Sequence, residues 1–276
     1  MADINAACRI GTIVPPANPA VEPEMRLLLP LAAACHYARL PVFPNTTLYE
    51  RNELYLKAYG ETIRAFGSLK LDALSIAMTG SSYKLRAAGD AQMCRNLSAQ
   101  AGAPVVTASL AILAVLTAMD ARRIALVSPY PKELTGHAQA YWADAGLEIV
   151  QTHSISEEFR AYELTSDDVA AAAGRIEASG VDAIVISGTG ANTLAALAAL
   201  NTGSAASFLP SNLCSALVMT ALSGLPASPG MRAALPQWDG RLEALLQSIG
   251  ATTRELTGVG DNLTGGKDGV ANTVTA

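Results

Sequence analysis

The sequence has few charged residues and few aromatics, and these shortages exclude one large class of protein. Charged residues make up 16% and aromatic residues 5% of the 276 residues, and the formal net charge is -5. A nucleic-acid-binding surface needs clustered basic residues, often interleaved with aromatics, and the sequence has no such run. It therefore predicts no nucleic-acid partner.

Cysteine and histidine are too scarce and too scattered to predict a metal site or a disulfide framework. The four cysteines and three histidines show none of the short spacings, such as CxxC or HExxH, that bind zinc. We expect reduced and mostly buried thiols, as in proteins of reducing compartments. The sequence predicts no metal and no other cofactor.

Targeting segments and long apolar runs are also missing. The first residues, Met1–Asn5, lack the basic-then-apolar order of a signal peptide. No uninterrupted apolar run is long enough to span a bilayer. Hydrophobic residues make up 50% of the chain, which is a globular composition. We therefore expect a soluble, cytoplasmic protein without a membrane partner.

Two similar stretches, each an apolar run followed by a turn of small residues, organise the sequence. The first is Asp72–Ser82 and the second is Asp182–Asn192. Each is typical of a buried parallel strand that ends in a loop before a helix. A further echo relates Arg9–Pro16 to Arg123–Tyr130. The pattern predicts an α/β fold with two pseudo-symmetric lobes, each a parallel β-sheet flanked by helices.

The predicted lobes share one pocket. We assign residues 1–117 and 212–250 to the first lobe and residues 118–211 to the second. Residues 251–276, which are rich in Gly, Asn and Thr, are expected to form a polar, flexible tail. Ligands bind at the carboxyl ends of strands in open α/β sheets. The two strand-end loops, one in each lobe, therefore predict an active site between the lobes.

Four groups of residues together resemble one protein family. Gly11–Pro19, the two strand-end loops, Ser128–Tyr130 and Pro210–Asn212 fall in the order and spacing of the arylmalonate decarboxylase and maleate cis-trans isomerase family, within the aspartate/glutamate racemase superfamily. The resemblance covers about residues 9–245. It implies a cofactor-free site at which a small carboxylate forms an enediolate-like intermediate. Family analogy also implies a homo-oligomer, formed through the apolar helices between Ser109 and Leu116 or nearby.

The sequence departs from the family where the family has its two cysteines. The resemblance aligns those positions with Met78 and Gly188, and neither residue can act as an acid, base or nucleophile. Two-base racemisation, thiolate addition to maleate and protonation by the second cysteine are therefore excluded at these positions. We interpret Gly188 as opening space for a larger substrate or a water molecule, and Met78 as pocket lining.

The residues that would hold a developing oxyanion remain. The resemblance implies a cradle of backbone amides and hydroxyls at the two loops, the kind of preorganised site that can dominate catalysis. We predict catalytic roles for Tyr130, Thr79, Thr189 and Ser81. We predict substrate contacts for Asn18, Pro16, Met78, Gly80, Ser82, Tyr83, Gly188, Gly190, Asn192 and Asn212.

Each of these residues also has an ordinary structural explanation. Thr79 and Thr189 could cap the helices that follow them. Asn18 could support the proline-rich turn, and Tyr130 could be a packed aromatic. Four further residues are weaker candidates for which a surface or core position is the common role: Lys84 and Arg86 as cations, Cys214 and His153.

The residues and the resemblance together predict a cofactor-free, cysteine-independent lyase. Its reaction would be decarboxylase-like, on a small carboxylate or an enolisable carbonyl compound. The proton donor stays open between Tyr130, Tyr83 and a water molecule beside Gly188. Two alternatives also stay open: a hydrolase in which the same cradle stabilises a tetrahedral oxyanion, and a non-catalytic protein that binds a dicarboxylate.

Overall fold

The computed structural model describes residues 8–156, 158–200 and 206–258. In the first lobe the strands are β1 (Cys8–Val14), β2 (Ala33–Arg39), β3 (Ala73–Ile76) and β4 (Val105–Thr107). The helices between them are α1 (Val21–Leu28), α2 (Leu48–Arg64), α3 (Gly80–Tyr83) and α4 (Arg86–Ala101), and α5 (Ala108–Ala118) follows β4.

The second lobe repeats this alternation of strands and helices. Its strands are β5 (Arg123–Ser128), β6 (Glu148–Ser154), β7 (Ala183–Ile186) and β8 (Ser207–Pro210). Its helices are α6 (Lys132–Asp144), α7 (Ser166–Ala173) and α8 (Leu194–Leu200). The described part of the chain ends with α9 (Ser211–Leu222), α10 (Pro229–Ala234), a 3-10 turn (Pro236–Trp238) and α11 (Leu242–Thr257).

Both sheets are parallel and have the same strand order. The first sheet runs β2-β1-β3-β4 and the second runs β6-β5-β7-β8. Strands β1 and β3 are paired in the middle of the first sheet, and β5 and β7 take the same positions in the second. The predicted α/β fold of two pseudo-symmetric lobes is therefore confirmed.

Local chemistry explains where the helices beside the pocket begin. Thr47 caps α2: its side chain accepts from the Glu50 N–H, and the Glu50 carboxylate accepts from the Thr47 N–H. Thr165 and Asp168 form the same reciprocal cap at α7. Such caps satisfy the first backbone donors of a helix, which have no partner within it. They fix the start of α2, the helix that forms one side of the pocket described below.

Two expectations about the surface and the chain end are wrong. Helix α5 lies in the core against α9 and α11, and its residues 108–116 are all buried within this one chain. An apolar helix that is already buried cannot form the predicted oligomer interface. The predicted tail is wrong for residues 251–257, which continue α11 and bury Thr253 and Thr257. Residues 259–276 lie outside the described part of the chain.

No helix among the described residues is both long enough and apolar enough to cross a membrane.

Candidate active site

A small pocket lies where central strands of both sheets end. Its wall includes Pro15 after β1, Met78 and Gly80 after β3, Tyr130 after β5, and residues 188–190 after β7. The volume is about 30 Å³, room for about two water molecules, since one needs roughly 10–15 Å³ measured in the same way. The pocket is therefore in the predicted place but too small for a substrate in this conformation.

Helix α2 and the segment between β6 and α7 cover the pocket. They contribute Leu48, Arg51, Asn52 and Tyr55 from α2, and Phe159, Ala161 and Tyr162 from the segment. The Phe159 ring is stacked on the Tyr130 ring, with centroids 6.1 Å apart and planes 5° from parallel. Tyr162 packs against Gly190 so closely that a side chain there would collide with its ring. A substrate needs this covering segment to move.

Tyr130 and Thr79 form a buried hydroxyl pair at the pocket. The Tyr130 Oη and Thr79 Oγ1 atoms are 2.6 Å apart, and either can donate. Burial raises the pKa of Tyr130 well above its usual range, partly offset by hydrogen bonding from Thr79 and the Gly80 N–H. The phenol is therefore protonated at neutral pH. Thr79 makes no side-chain bond to α3, so helix capping does not explain it.

Gly188 adjoins Tyr130 but leaves little room. Its φ is +85°, and an ideal Cβ would stand 2.7 Å from Pro129 Cγ and 3.6 Å from Tyr130 Oη. The expectation that Gly188 opens space is wrong in this direction, because the Pro129 ring already fills it. The position that the resemblance aligns with the family's second cysteine is thus directly beside a phenol.

The Thr189 side chain connects the lobes. Its Oγ1 donates to the Ala77 carbonyl at 2.8 Å and accepts from Asn18 Nδ2 at 3.1 Å. Asn18 Oδ1 accepts from the N–H groups of Ala20 and Val21 at the start of α1. A threonine hydroxyl has one proton, so Thr189 cannot also donate it to a ligand. Its predicted catalytic hydroxyl is therefore already used, whereas its backbone N–H has no acceptor among the described residues.

Ser81 and Tyr83 support the first loop from behind. Ser81 Oγ is 2.5 Å from Tyr59 Oη, and neither serine nor tyrosine of this pair lines the pocket. Tyr83 Oη shares a short hydrogen bond with Ser187 Oγ of the second lobe. Burial raises the pKa of Tyr83 to about 12. Tyr83 is therefore an inter-lobe contact and not a pocket donor.

Asn212 supports the second loop through a buried carboxylate. Its Nδ2 donates to the Thr189 carbonyl at 3.1 Å and to Glu24 Oε2 at 2.7 Å. Glu24 also accepts from the Thr193 hydroxyl and from the N–H groups of Thr193 and Leu194. Burial raises the pKa of Glu24, although these donors oppose that effect. The cluster fixes the loop after β7 against α1.

The structure brings six of the predicted residues to the pocket wall: Met78, Gly80, Tyr130, Gly188, Thr189 and Gly190. Thr79 reaches the pocket through Tyr130. The remaining predicted residues do not line it: Asn18, Pro16, Ser81, Ser82, Tyr83, Asn192 and Asn212. Pro15 takes the place predicted for Pro16, and the exposed Asn192 lines a neighbouring surface groove beside α1, which shares Tyr162 and Gly190 with the pocket.

The weaker candidates do not line the pocket either. Lys84 forms an ion pair with Glu53, and Arg86 is exposed. Cys214 is fully buried in α9, and His153 is half-buried on β6. The cation that the pocket does contain is Arg51, which the sequence analysis did not single out. It belongs to an ordinary amphipathic helix, so no local pattern marked it.

Neither a metal-binding cluster nor a thiol is found among the described residues of this pocket. No three side chains of His, Cys, Asp or Glu lie together in a way that could hold a metal ion there. No cysteine is among the described residues that line the pocket.

Comparison with known proteins agrees with this architecture. The family model described as arylmalonate decarboxylase matches residues 10–234. The chain belongs to this family. A search of curated proteins finds no match.

Solved structures of family enzymes share the fold. A crystal structure of arylmalonate decarboxylase is 24% identical, with a TM-score of 0.64, and the match covers 81% of this chain and 96% of that one. Maleate isomerase Iso from Pseudomonas putida S16 is 18% identical, with a TM-score of 0.74 and coverage of 82% and 96%. Maleate cis-trans isomerase from Nocardia farcinica, solved with a covalently bound succinylcysteine intermediate, is 23% identical, with a TM-score of 0.73 and coverage of 84% and 99%.

Proposed function

We propose that the protein is a cofactor-free, cysteine-independent lyase that decarboxylates a small carboxylic acid through an enediolate. One observation carries the proposal: the Tyr130 phenol, paired with Thr79 at 2.6 Å, lies at the pocket wall beside Gly188. A protonated hydroxyl thus occupies the neighbourhood in which the resemblance places a thiol acid.

The surroundings of the pocket favour an acid other than a thiol. The Nocardia farcinica isomerase was solved with its substrate carbon attached to a cysteine. No cysteine is among the described residues that line the present pocket. Cys94 and Cys214 are fully buried, and burial raises the pKa of each thiol. These observations support protonation by an oxygen acid.

Neutral donors at the two loops would hold the retained carboxylate. The backbone N–H groups of Thr189 and Gly190 have no acceptor within the described residues, whereas the Gly80 N–H donates to the Tyr130 oxygen. Such donors stabilise the extra negative charge of an enediolate more than that of the starting carboxylate. The apolar walls formed by Leu48, Met78 and Phe159 would disfavour the charged leaving carboxylate relative to neutral CO₂.

The proposed reaction has two steps. First, the bond between the α-carbon and the leaving carboxylate breaks, its electron pair enters the enediolate and CO₂ departs. Second, Tyr130 donates its proton to the α-carbon, and the phenolate regains a proton from solvent water when the covering segment opens. A phenol with a raised pKa is still acidic enough for this step, because a carbanion next to a carboxylate is a much stronger base.

Proton NMR in deuterium oxide with a panel of substituted malonates, maleate, hydantoins and cyclic amides tests the proposal. The expected result is loss of a malonate with one deuterium at the α-carbon of the product. Tyr130→Phe should lower kcat by about 10² to 10⁴-fold, since it removes a general acid. Thr79→Val should lower kcat less, and Tyr37→Phe, the same change outside the pocket, should leave it unchanged.

Other outcomes would decide against the lyase. Ring or amide opening without carbon-bound deuterium, and with solvent oxygen-18 in the product, would identify a hydrolase. Thermal stabilisation by a dicarboxylate without any turnover would identify a binding protein. Full activity of the Tyr130→Phe variant would exclude this phenol as the acid.

A further inference from the structure

We propose that Arg51 is a specificity-determining residue: it binds a negatively charged group that the substrate carries in addition to its two malonate carboxylates and that the product retains. The inference deepens the proposed function and rests on it for the identity of the reaction. The proposed reaction already requires a carboxylate on the substrate. The inference narrows the substrate class to acids whose side chain carries a further anion.

Arg51 is the one formally charged side chain among the fourteen described residues that line the pocket. It lies half-buried on α2. The described residues form seven ion pairs, and Arg51 takes part in none of them. The pocket therefore has a positive charge without a counterion.

The surroundings of the Arg51 guanidinium are aromatic. Its Cζ atom stands 5.8 Å from the centroid of the Phe159 ring. Burial raises the pKa values of Tyr55 and Tyr162, and the charge of Arg51 acts on both phenols in the opposite direction. An aromatic face stabilises a guanidinium weakly compared with a carboxylate, which can accept two parallel hydrogen bonds from it. A small anion is thus the ligand that this position lacks.

The chemistry of decarboxylation decides which anion Arg51 can bind. The leaving carboxylate loses its negative charge as CO₂ forms, so a cation paired with it would stabilise the starting material over the transition state. The carboxylate that becomes the enediolate belongs to the donors of the two strand-end loops. Arg51 is compatible with catalysis when it holds a third group whose charge does not change. A malonate with an anionic side chain has this group.

A purely structural role for Arg51 gives a different expectation. In that role, its contact with Phe159 would serve only to hold the covering segment in place. Substitution would then weaken the binding of every ligand by the same factor. A direct contact instead changes the ratio of the affinities for two ligands in which the group that meets Arg51 is anionic in one and neutral in the other. This affinity ratio separates the two roles.

The test compares succinate with 4-methylpentanoate, in which an isopropyl group replaces one carboxylate. Calorimetry on the wild-type protein should show about 10- to 100-fold tighter binding of succinate, the range expected for a hydrogen-bonded charge pair. Arg51→Gln should bring the two affinities close together, and Arg51→Lys should restore part of the difference. Lys57→Gln removes one positive charge from the exposed side of the same helix and should leave the ratio unchanged. A ratio near one in the wild type, or an unchanged ratio in Arg51→Gln, overturns the proposal.

Turnover separates this inference from the proposed function. The substrate pair is (carboxymethyl)malonate and isobutylmalonate, followed by the same NMR assay. Faster turnover of the first, lost in Arg51→Gln, supports both ideas. Binding selectivity without turnover of either malonate would refute the lyase and keep the role of Arg51. Equal turnover of both malonates would keep the lyase and refute the role of Arg51.

Discussion

Replacing Gly188 by cysteine, the change that would restore the residue expected from the family, should destabilise the protein and leave kcat no higher. A residue with a side chain pays about 1–2 kcal/mol for the left-handed conformation that Gly188 adopts at φ +85°. Its Cβ would also overlap Pro129 Cγ at 2.7 Å, and displacing a packed ring costs about 1–3 kcal/mol. The expected total is about 2–5 kcal/mol.

Thermal unfolding of matched variants separates the two contributions. For a domain of this size each kcal/mol lowers Tm by about 2–4 °C, so Gly188→Ala and Gly188→Cys should each lose roughly 4–20 °C. Gly67→Ala is the control, because Gly67 has φ +60° and nothing within 4 Å of an added Cβ. It should lose the conformational part alone.

Three results would refute this reasoning. Equal losses in Gly188→Ala and Gly67→Ala would mean that Pro129 moves aside at no cost. An unchanged Tm in both variants would mean that the left-handed backbone is not required. A stable Gly188→Cys variant with higher kcat would show that a thiol can be accommodated where the Pro129 ring now lies.

Three further predictions concern the core, the lobe contact and the pocket cover. Asp90 is fully buried and burial raises its pKa to about 6. Its neutral form contributes stability that is complete below about pH 4 and is lost as the pH rises through 6, so the free energy of unfolding of Asp90→Asn relative to that of wild type should rise by up to about 3 kcal/mol between pH 4 and 7, seen as a Tm difference that moves in favour of the variant. A gap that does not vary with pH would contradict this. Thr189→Val removes the bond to the Ala77 carbonyl and should cost about 1–3 kcal/mol by denaturant unfolding; no loss would mean that the lobes do not depend on it. Phe159→Ala should raise the association rate of succinate in stopped-flow experiments, because the ring no longer covers Tyr130, and an unchanged rate would show that the pocket opens elsewhere.

The fold could be predicted because buried parallel strands leave a strong local pattern. Strands β3 and β7 are short, fully buried and flanked by loops of small residues, and both were found. Strand β2, Ala33–Arg39, lies at the edge of the first sheet and gives a weaker signal. As an edge strand it is half-exposed and mixes polar with apolar residues, so its pattern is weak. Strand β8, Ser207–Pro210, also gives a weak signal, because it has only four residues and ends in proline.

The site could be predicted only in part, because its polar groups find partners far away in the sequence. The strand-end loops were located correctly, since parallel strands bring their carboxyl ends together. The use of the Thr189 hydroxyl could not be foreseen, because its acceptor is the carbonyl of Ala77, 112 positions earlier and in the other lobe. Arg51 carried no signal for the same reason: only the folded chain brings α2 to the pocket.

In the proposed mechanism, the two sides of the pocket have different roles. This separation explains how the family chemistry could persist without a thiol. The strand-end loops supply neutral donors, and their positions are fixed from behind by bonds between lobes, such as Tyr83 to Ser187 and Asn212 to Glu24. An oxyanion held by this arrangement does not depend on which group later delivers the proton. The opposite side, with Arg51 and the covering aromatics, has no part in holding that oxyanion. On the proposed mechanism, changes there would alter which acid enters while the reacting carboxylate keeps its donors, so substrate selection and oxyanion stabilisation would change independently.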